Sequence, residues 1–342
     1  LETIAAAAAA APVAEKKEQA EVNLWPWRFL MLGITASWGC NFAVIKLALD
    51  TLGDSASAGS LFMAARFGLA ALLLAPALFK ASSRSVVEAG AAVGMLCAAG
   101  YGCQAASLAM GTAAGTSAFI CSLQAVVVAL LVSHSTGVVE RRTMLAIVLA
   151  VAGVGCLELP SVLADGGGFA LADLLSFGQP LGFGASYVVL EKAAADATDD
   201  DALPLAALQC AVIAAGSLLA SSAAAGAWPS ELDWSLMLPH AEAANGVLAQ
   251  WAVPGAVLYT GVISTALTIW LQALVFAKLP AVDASIMITT EPLWAALCAV
   301  LLLGDTLTAA NYVGGALILS ALAAQNGLLP GMGEEGAPAD TP

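Results

Sequence analysis

Two ionisable side chains lie in the middle of long apolar stretches, where an uncompensated charge is costly. Arg66 is the tenth residue of an apolar run over 57–79, and Glu291 is the eleventh of another over 281–303. A charge at the centre of a membrane-spanning helix costs about 2.5–3.5 kcal/mol on insertion scales, so each needs a reason to be there. At ~1.5 Å per residue, Arg66 lies about 14 Å deep and Glu291 at the midplane. Pro292 directly follows Glu291. Its ring removes a backbone donor and frees the carbonyl near Ile288, making Pro292 a candidate hinge. A carboxylate beside a freed carbonyl suits a proton, a cation or a substrate ammonium. The plainer alternative is that Arg66 and Glu291 neutralise each other and serve packing alone.

Neutral polar side chains accompany the pair. Asn41, Gln104, Ser122, Gln124, Gln209, Gln272, Thr289 and Thr290 lie inside apolar runs, where such groups join helices by hydrogen bonds worth about 0.6–2 kcal/mol. Asn41 and Gln124 stand out as cavity residues because they occupy repeat-matched positions, set out below. Trp38, Trp270, Trp294 and Tyr101 could line an amphipathic cavity, whereas Trp25, Trp27, Trp228, Trp234 and Trp251 flank the runs, as an interfacial belt would. Lys46 is near enough to the end of its run to snorkel, and Glu158, Glu191 and Lys192 read as solvated ends. Cys40, Cys97, Cys103, Cys121, Cys156, Cys210 and Cys298 all lie within runs without CxxC or metal spacing, and read as small buried hydrophobes. His134 and His240 are the only histidines, so neither a histidine metal site nor any cofactor is expected. Paired catalytic carboxylates, HExxH and GxSxG are absent, which argues against an enzyme.

The elements that must position these residues are membrane spans. Hydropathy marks ten apolar runs, at 27–49, 57–79, 86–108, 112–133, 143–161, 170–192, 203–224, 252–277, 281–303 and 308–328. Sixty per cent hydrophobic and eleven per cent charged residues exclude an ordinary soluble domain. Nine of the eleven Lys and Arg residues sort to one face: Lys16, Lys17, Arg28, Lys80, Arg84, Arg141, Arg142, Lys192 and Lys278. The opposite gaps hold Asp50, Asp54, Asp165, Glu231, Asp233 and Glu242 and no basic residue. Short basic loops stay on the cytoplasmic side or its organellar equivalent, so both termini are expected there. The expected fold is an all-α integral membrane protein with multiple passes. The net charge of −14 is carried mainly by tails and acidic loops and argues against nucleic acid as a partner. Residues 1–26 are expected to be a disordered and processed N-terminal segment, and 329–342 a disordered tail.

The chain also repeats itself weakly. SWGCNFAVIK in the first run can be laid over GFGASYVVLE in the sixth, matching Trp38 with Phe183, Gly39 with Gly184, Asn41 with Ser186 and Phe42 with Tyr187. TSAFICSLQAVVVALLV in the fourth lies over DASIMITTEPLWAALCAV in the ninth, matching Gln124 with Glu291. Five spans per repeat inverts the second copy, an arrangement common in secondary transporters that expose a midplane site alternately to each side. The expected boundaries are 27–161 for the first five-helix repeat and 162–328 for the second.

WGCNFAVIK, FMAARFGLAALLL and the closing EPLWAALCAVLLLGDTLTAANYVGGALILSA resemble EamA-type members of the drug/metabolite transporter superfamily. The resemblance covers about 28–328. It implies ten transmembrane helices in two inverted five-helix repeats with a substrate cavity between them. The chain departs from the family pattern at Ala125, where a proline is usual, and at STGVVERR, where G-E-R-L-T is usual. The loss of that proline argues against symmetric hinging of the fourth helix.

The expected function is secondary transport by alternating access around a midplane cavity. Organic phosphates would need more basic residues facing the cavity than Arg66 and Lys46. A small neutral, zwitterionic or cationic metabolite, amino-acid-like as the resemblance implies, is the expected partner, with protons coupled through Glu291 or not coupled at all. Membrane lipids are the other partners, and a homo-oligomer is compatible with such helix faces. The alternative is a non-transporting membrane subunit with a structural or assembly role, marked by a solid apolar bundle in place of a polar cavity around Arg66 and Glu291.

Overall fold

The computed structural model describes residues 23–52, 56–110, 117, 120–137, 140–164, 171–239, 250–298, 300–301 and 307–328. The expected C-terminal tail lies outside this set, as do residues 1–22 of the expected N-terminal segment and most of the GDTLT turn. Among the described residues every regular element is helical, and helix occupies part of each of the ten apolar runs.

The helices are α1 Trp25–Leu52, α2 Ala56–Leu74 with a 3-10 extension Ala75–Lys80, α3 Arg84–Ala109, α4 Gln124–Thr136 and α5 Arg141–Ala164. The second set is α6 Gly178–Asp196, led in by Leu171–Ser176, then α7 Ala202–Ala225, α8 Ala252–Phe276, α9a Ala281–Ile288, α9b Glu291–Cys298 and α10 Ala309–Gln325. Among the described residues four stretches are each long and apolar enough to cross a membrane: Ala58–Lys80, Arg84–Ser107, Ala202–Ala225 and Ala252–Phe276. Their ends follow from local chemistry. Pro26 sits in the first turn of α1, where its missing N–H costs nothing. Thr308 and Asn311 form a capping box that starts α10. Gly137 closes α4 in the left-handed region, at φ 75°. Leu72, Leu219 and Leu301 are 75%, 68% and 71% exposed, so these helices turn large apolar side chains outward, as lipid-facing helices do.

Glycines set the closest crossings, and these come in matching pairs. A Cβ at Gly39 of α1 would lie 2.5 Å from the Trp294 Cβ and 2.7 Å from the Glu291 carbonyl oxygen of α9b. At Gly184 of α6 it would lie 3.0 Å from the Val127 Cβ and 3.1 Å from the Gln124 carbonyl of α4. Those are the positions that the sequence overlay matches, and their contacts are equivalent. The second pair joins α3 to α7 and α8 to α2. A Cβ at Gly94 would meet the Val212 Cβ at 2.8 Å and the Gln209 carbonyl at 3.1 Å; one at Gly261 would meet the Leu69 Cβ at 3.3 Å and the Arg66 carbonyl at 3.0 Å. This correspondence places Arg66 opposite Gln209.

Polar contacts tie the ends that carry Lys80, Arg84 and Lys278. Arg28 at the start of α1 pairs with Asp283 of α9a at 3.3 Å, and Gln325 of α10 donates to the same carboxylate at 2.6 Å. Asp201, fully buried before α7, accepts from the Ser82 amide (2.9 Å) and hydroxyl (2.8 Å) and from the Thr198 amide (3.0 Å) and hydroxyl (2.8 Å). Burial opposes its ionisation, but the four donors outweigh burial and draw the carboxyl from 3.8 to about 2.

Two expectations follow. Gly39→Ala should destabilise the folded chain by about 1–3 kcal/mol through overpacking, while Gly33→Ala, with nothing within 4 Å, should be neutral or slightly stabilising; thermal unfolding in detergent compares them. Because Asp201 is more acidic folded than unfolded, its contribution is complete above about pH 4 and is lost as pH falls toward 2. Asp201→Asn should cost about 1–3 kcal/mol at neutral pH, and the gap from wild type should close in acid, as read from unfolding midpoints across pH.

Candidate functional site

Helix α9 is interrupted at Thr289 and Thr290. Pro292 cannot donate to the Ile288 carbonyl, and the chain crosses the gap with tighter contacts: the Thr290 amide to the Met287 carbonyl at 3.0 Å and the Leu293 amide to the Thr290 carbonyl at 2.9 Å. The hydroxyls of Thr289 and Thr290 turn back onto the Ile286 and Met287 carbonyls at 2.6 and 2.7 Å. Glu291 is therefore the first residue of α9b, half-buried, with Pro292 beside it.

The first half breaks at the matched place without a proline. Residues 120–122 are helical, Leu123 is a turn whose amide reaches the Ile120 carbonyl at 3.1 Å, and α4 restarts at Gln124. The fourth helix is therefore broken ahead of Ala125 without a proline.

Arg66 is buried at 5% exposure on α2. Its Nε and Nη2 both donate to the Thr265 hydroxyl, at 3.2 and 3.0 Å, and its guanidinium carbon lies 4.9 Å from the Phe67 ring centroid. No ion pair joins Arg66 to Glu291 among the described residues. Tyr101 is held edge-on to Phe183 at 4.9 Å and tilted on Phe67 at 5.6 Å.

Trp38 donates its indole N–H to the Thr268 hydroxyl at 3.0 Å, and Trp294 donates to the Thr290 hydroxyl at 3.2 Å. Asn41 is 7% exposed, and its Oδ1 is buried without a hydrogen-bond partner among the described residues. Gln124 is buried on α4 near the α4–α6 crossing, and Trp270 is half-buried against the main core; no hydrogen bond links either to Arg66 or Glu291 among the described residues. The small crevice between Ala194, Ala202 and Ala277 and the shallow groove beside Leu219 and Trp228 both lie away from this region.

Two functional candidates were not read from the sequence. Thr265 and Thr268 sit in or beside a π-helical turn, Val262–Leu267, inside α8. The wider turn presents Thr265 to Arg66 and Thr268 to Trp38, and such bulges recur at functional sites. The signal available was the hydroxyl cluster Ser264, Thr265 and Thr268 within an otherwise apolar run. The cysteines need a second correction. Cys40 of α1 and Cys298 of α9b are joined as a disulfide, with Cα atoms 5.4 Å apart and a sequence separation of 258; Cys97, Cys103, Cys121, Cys156 and Cys210 are free thiols.

Comparison with known proteins bears on this arrangement. Residues 170–325 match the EamA-like transporter family. The second half of the chain is EamA-like. The EamA-like half holds Glu291, Pro292, Trp270, Thr265 and Trp294, and Arg66, Asn41 and Trp38 are brought to it by α1 and α2. No curated protein matches the chain. A solved crystal structure of another protein, 13% identical, covers 89% of this chain and 99% of its own with a TM-score of 0.64; at that identity it speaks for the fold alone. The long apolar helices, together with this match, mark an integral multi-pass membrane protein.

Replacing Thr265 tests the packing around Arg66. Thr265→Val removes the acceptor of two donors on a buried cation and should cost about 1–3 kcal/mol, while Thr265→Ser should keep most of the stability; unfolding midpoints of the two variants decide it.

Proposed function

We propose that the chain is a secondary transporter with ten spans in two inverted five-helix repeats and both termini on the cytoplasmic side or its organellar equivalent. It moves a small neutral, zwitterionic or cationic metabolite, amino-acid-like in chemistry, between its halves. The observation that carries this reading is a buried Arg66 and a half-buried Glu291 at the break in α9, neither of them in an ion pair among the described residues. A cation and a carboxylate that are not paired with each other suit the carboxylate and ammonium of one ligand. The unpartnered Asn41 Oδ1 offers an acceptor nearby on the same helix as Trp38.

The repeat reading is supported by the crossings. Gly39 with Glu291 and Trp294, and Gly184 with Gln124 and Val127, make the same contacts in opposite halves. The breaks before Gln124 and Glu291 give each half a jointed helix at the site, with Pro292 as the hinge of the second. Glu291 serves as the coupling or ammonium-binding carboxylate and Arg66 as the carboxylate-binding cation.

The tight packing around Arg66 is the observation that favours a second reading, a non-transporting membrane subunit. On the transport reading the same packing is an occluded state. Uptake of labelled amino acids and amines into proteoliposomes, with and without a pH gradient, separates the two. Saturable uptake is expected, reduced about ten-fold or more in Glu291→Gln by the loss of a charge-assisted bond. A well-folded preparation that moves nothing from a broad panel supports the subunit.

A further inference from the structure

The disulfide has a position that the transport reading gives consequence. Cys40 follows Gly39 by one residue on α1, and Cys298 lies two turns beyond Glu291 on α9b. The bond therefore closes the α1–α9b seam on the side of the site away from Arg28 and Asp283, which tie the other ends of the same helices. By the charge of the loops, that is the acidic side.

The equivalent seam, between α6 and α4, has no such bond. With Gly39 matched to Gly184 and Glu291 to Gln124, Cys40 corresponds to Ala185 and Cys298 to Leu131. In an inverted pair the two seams close opposite sides of the site. A link present in one of them acts on one access path and leaves the other free.

We propose that Cys40 and Cys298 are a redox modification site, a reversible covalent latch that holds the acidic-side seam shut and arrests the transport cycle. This rests on the transport reading. In oxidation each thiol gives up one proton and one electron and the sulfurs join; a low-molecular-weight disulfide that accepts them leaves as two thiols, and a dithiol reverses the step by becoming a cyclic disulfide. Bonding at this seam is a bias on one state, and a covalent bias far exceeds the few kcal/mol by which transport states differ.

The test uses the full chain in proteoliposomes, treated with diamide, which takes both hydrogens as its hydrazine, or with dithiothreitol. Peptide mapping reads the Cys40–Cys298 link, and uptake is measured on the same samples. The expected result is a linked peptide after diamide, uptake lower by about ten-fold or more, and recovery with dithiothreitol. Cys40→Ser and Cys298→Ser, made as two separate variants so that a packing defect in one does not decide the test, should each transport equally in both conditions. Equal uptake by linked and reduced wild type overturns the latch, and so does a failure of the linked peptide to form. If no sample transports anything, the transport reading is what fails and the arrest of a cycle falls with it; hydrogen exchange of α1 and α9b then tests the seam alone, where identical exchange in linked and reduced chains overturns the closure as well.

Discussion

Close contact between helix backbones at glycine decides where the chemistry of this protein can sit. An α1 with a side chain at position 39 could not bring its backbone against the Glu291 carbonyl and the Trp294 Cβ, and Trp38 and Asn41 would be held away from α9b. The same constraint acts at Gly261, where α8 meets the Arg66 carbonyl, so that the π turn of α8 lies over the guanidinium. In an apolar bundle dispersion and a few hydrogen bonds carry helix association, since lipid offers no hydrophobic drive between helices. Contact at glycine maximises the first and brings the donors of the second into range.

A buried cation is tolerated here because its surroundings are arranged for it. Thr265 accepts from two of its nitrogens, and the Phe67 ring faces it at 4.9 Å. This is partial compensation, since a hydroxyl and a ring do not replace a carboxylate. The half-buried Glu291 is equally without an ion pair among the described residues. On the transport reading, each charge keeps the capacity to bind something further, as a site requires and a packing device does not.

The sequence carried the helical fold in its apolar runs, and it singled out Arg66 and Glu291 because charge is rare in such runs. The overlay of SWGCNFAVIK on GFGASYVVLE anticipated which residues make equivalent contacts. Thr265 and Thr268 were not legible, because a π turn leaves no mark in hydrophobic periodicity and a threonine in an apolar helix is usually bonded to its own backbone. The Cys40–Cys298 link was not legible either, since cysteines 258 residues apart show no spacing pattern. The break before Gln124 left no mark at Ala125, since α4 restarts after Leu123 through a 3-10 contact that needs no proline.

The equivalence of the two halves extends to backbone contacts and stops at the chemistry. Glu291 is matched by Gln124, Pro292 by Ala125, Arg66 by Gln209 and Cys40 by Ala185. A symmetric scaffold with a symmetric site would present the same groups to both ends of a ligand. Here one half supplies a carboxylate and the other a guanidinium, and their matched positions are neutral amides of similar size. The amides keep the shape of each crossing without adding a charge whose burial would go uncompensated. On the transport reading, this division lets the halves exchange positions around a ligand whose own ends differ, while the ligand keeps one orientation relative to the charges. The joint in α9 then moves the carboxylate and the joint in α4 moves a neutral residue, so the electrostatic work of the cycle falls on the EamA-like half of the chain.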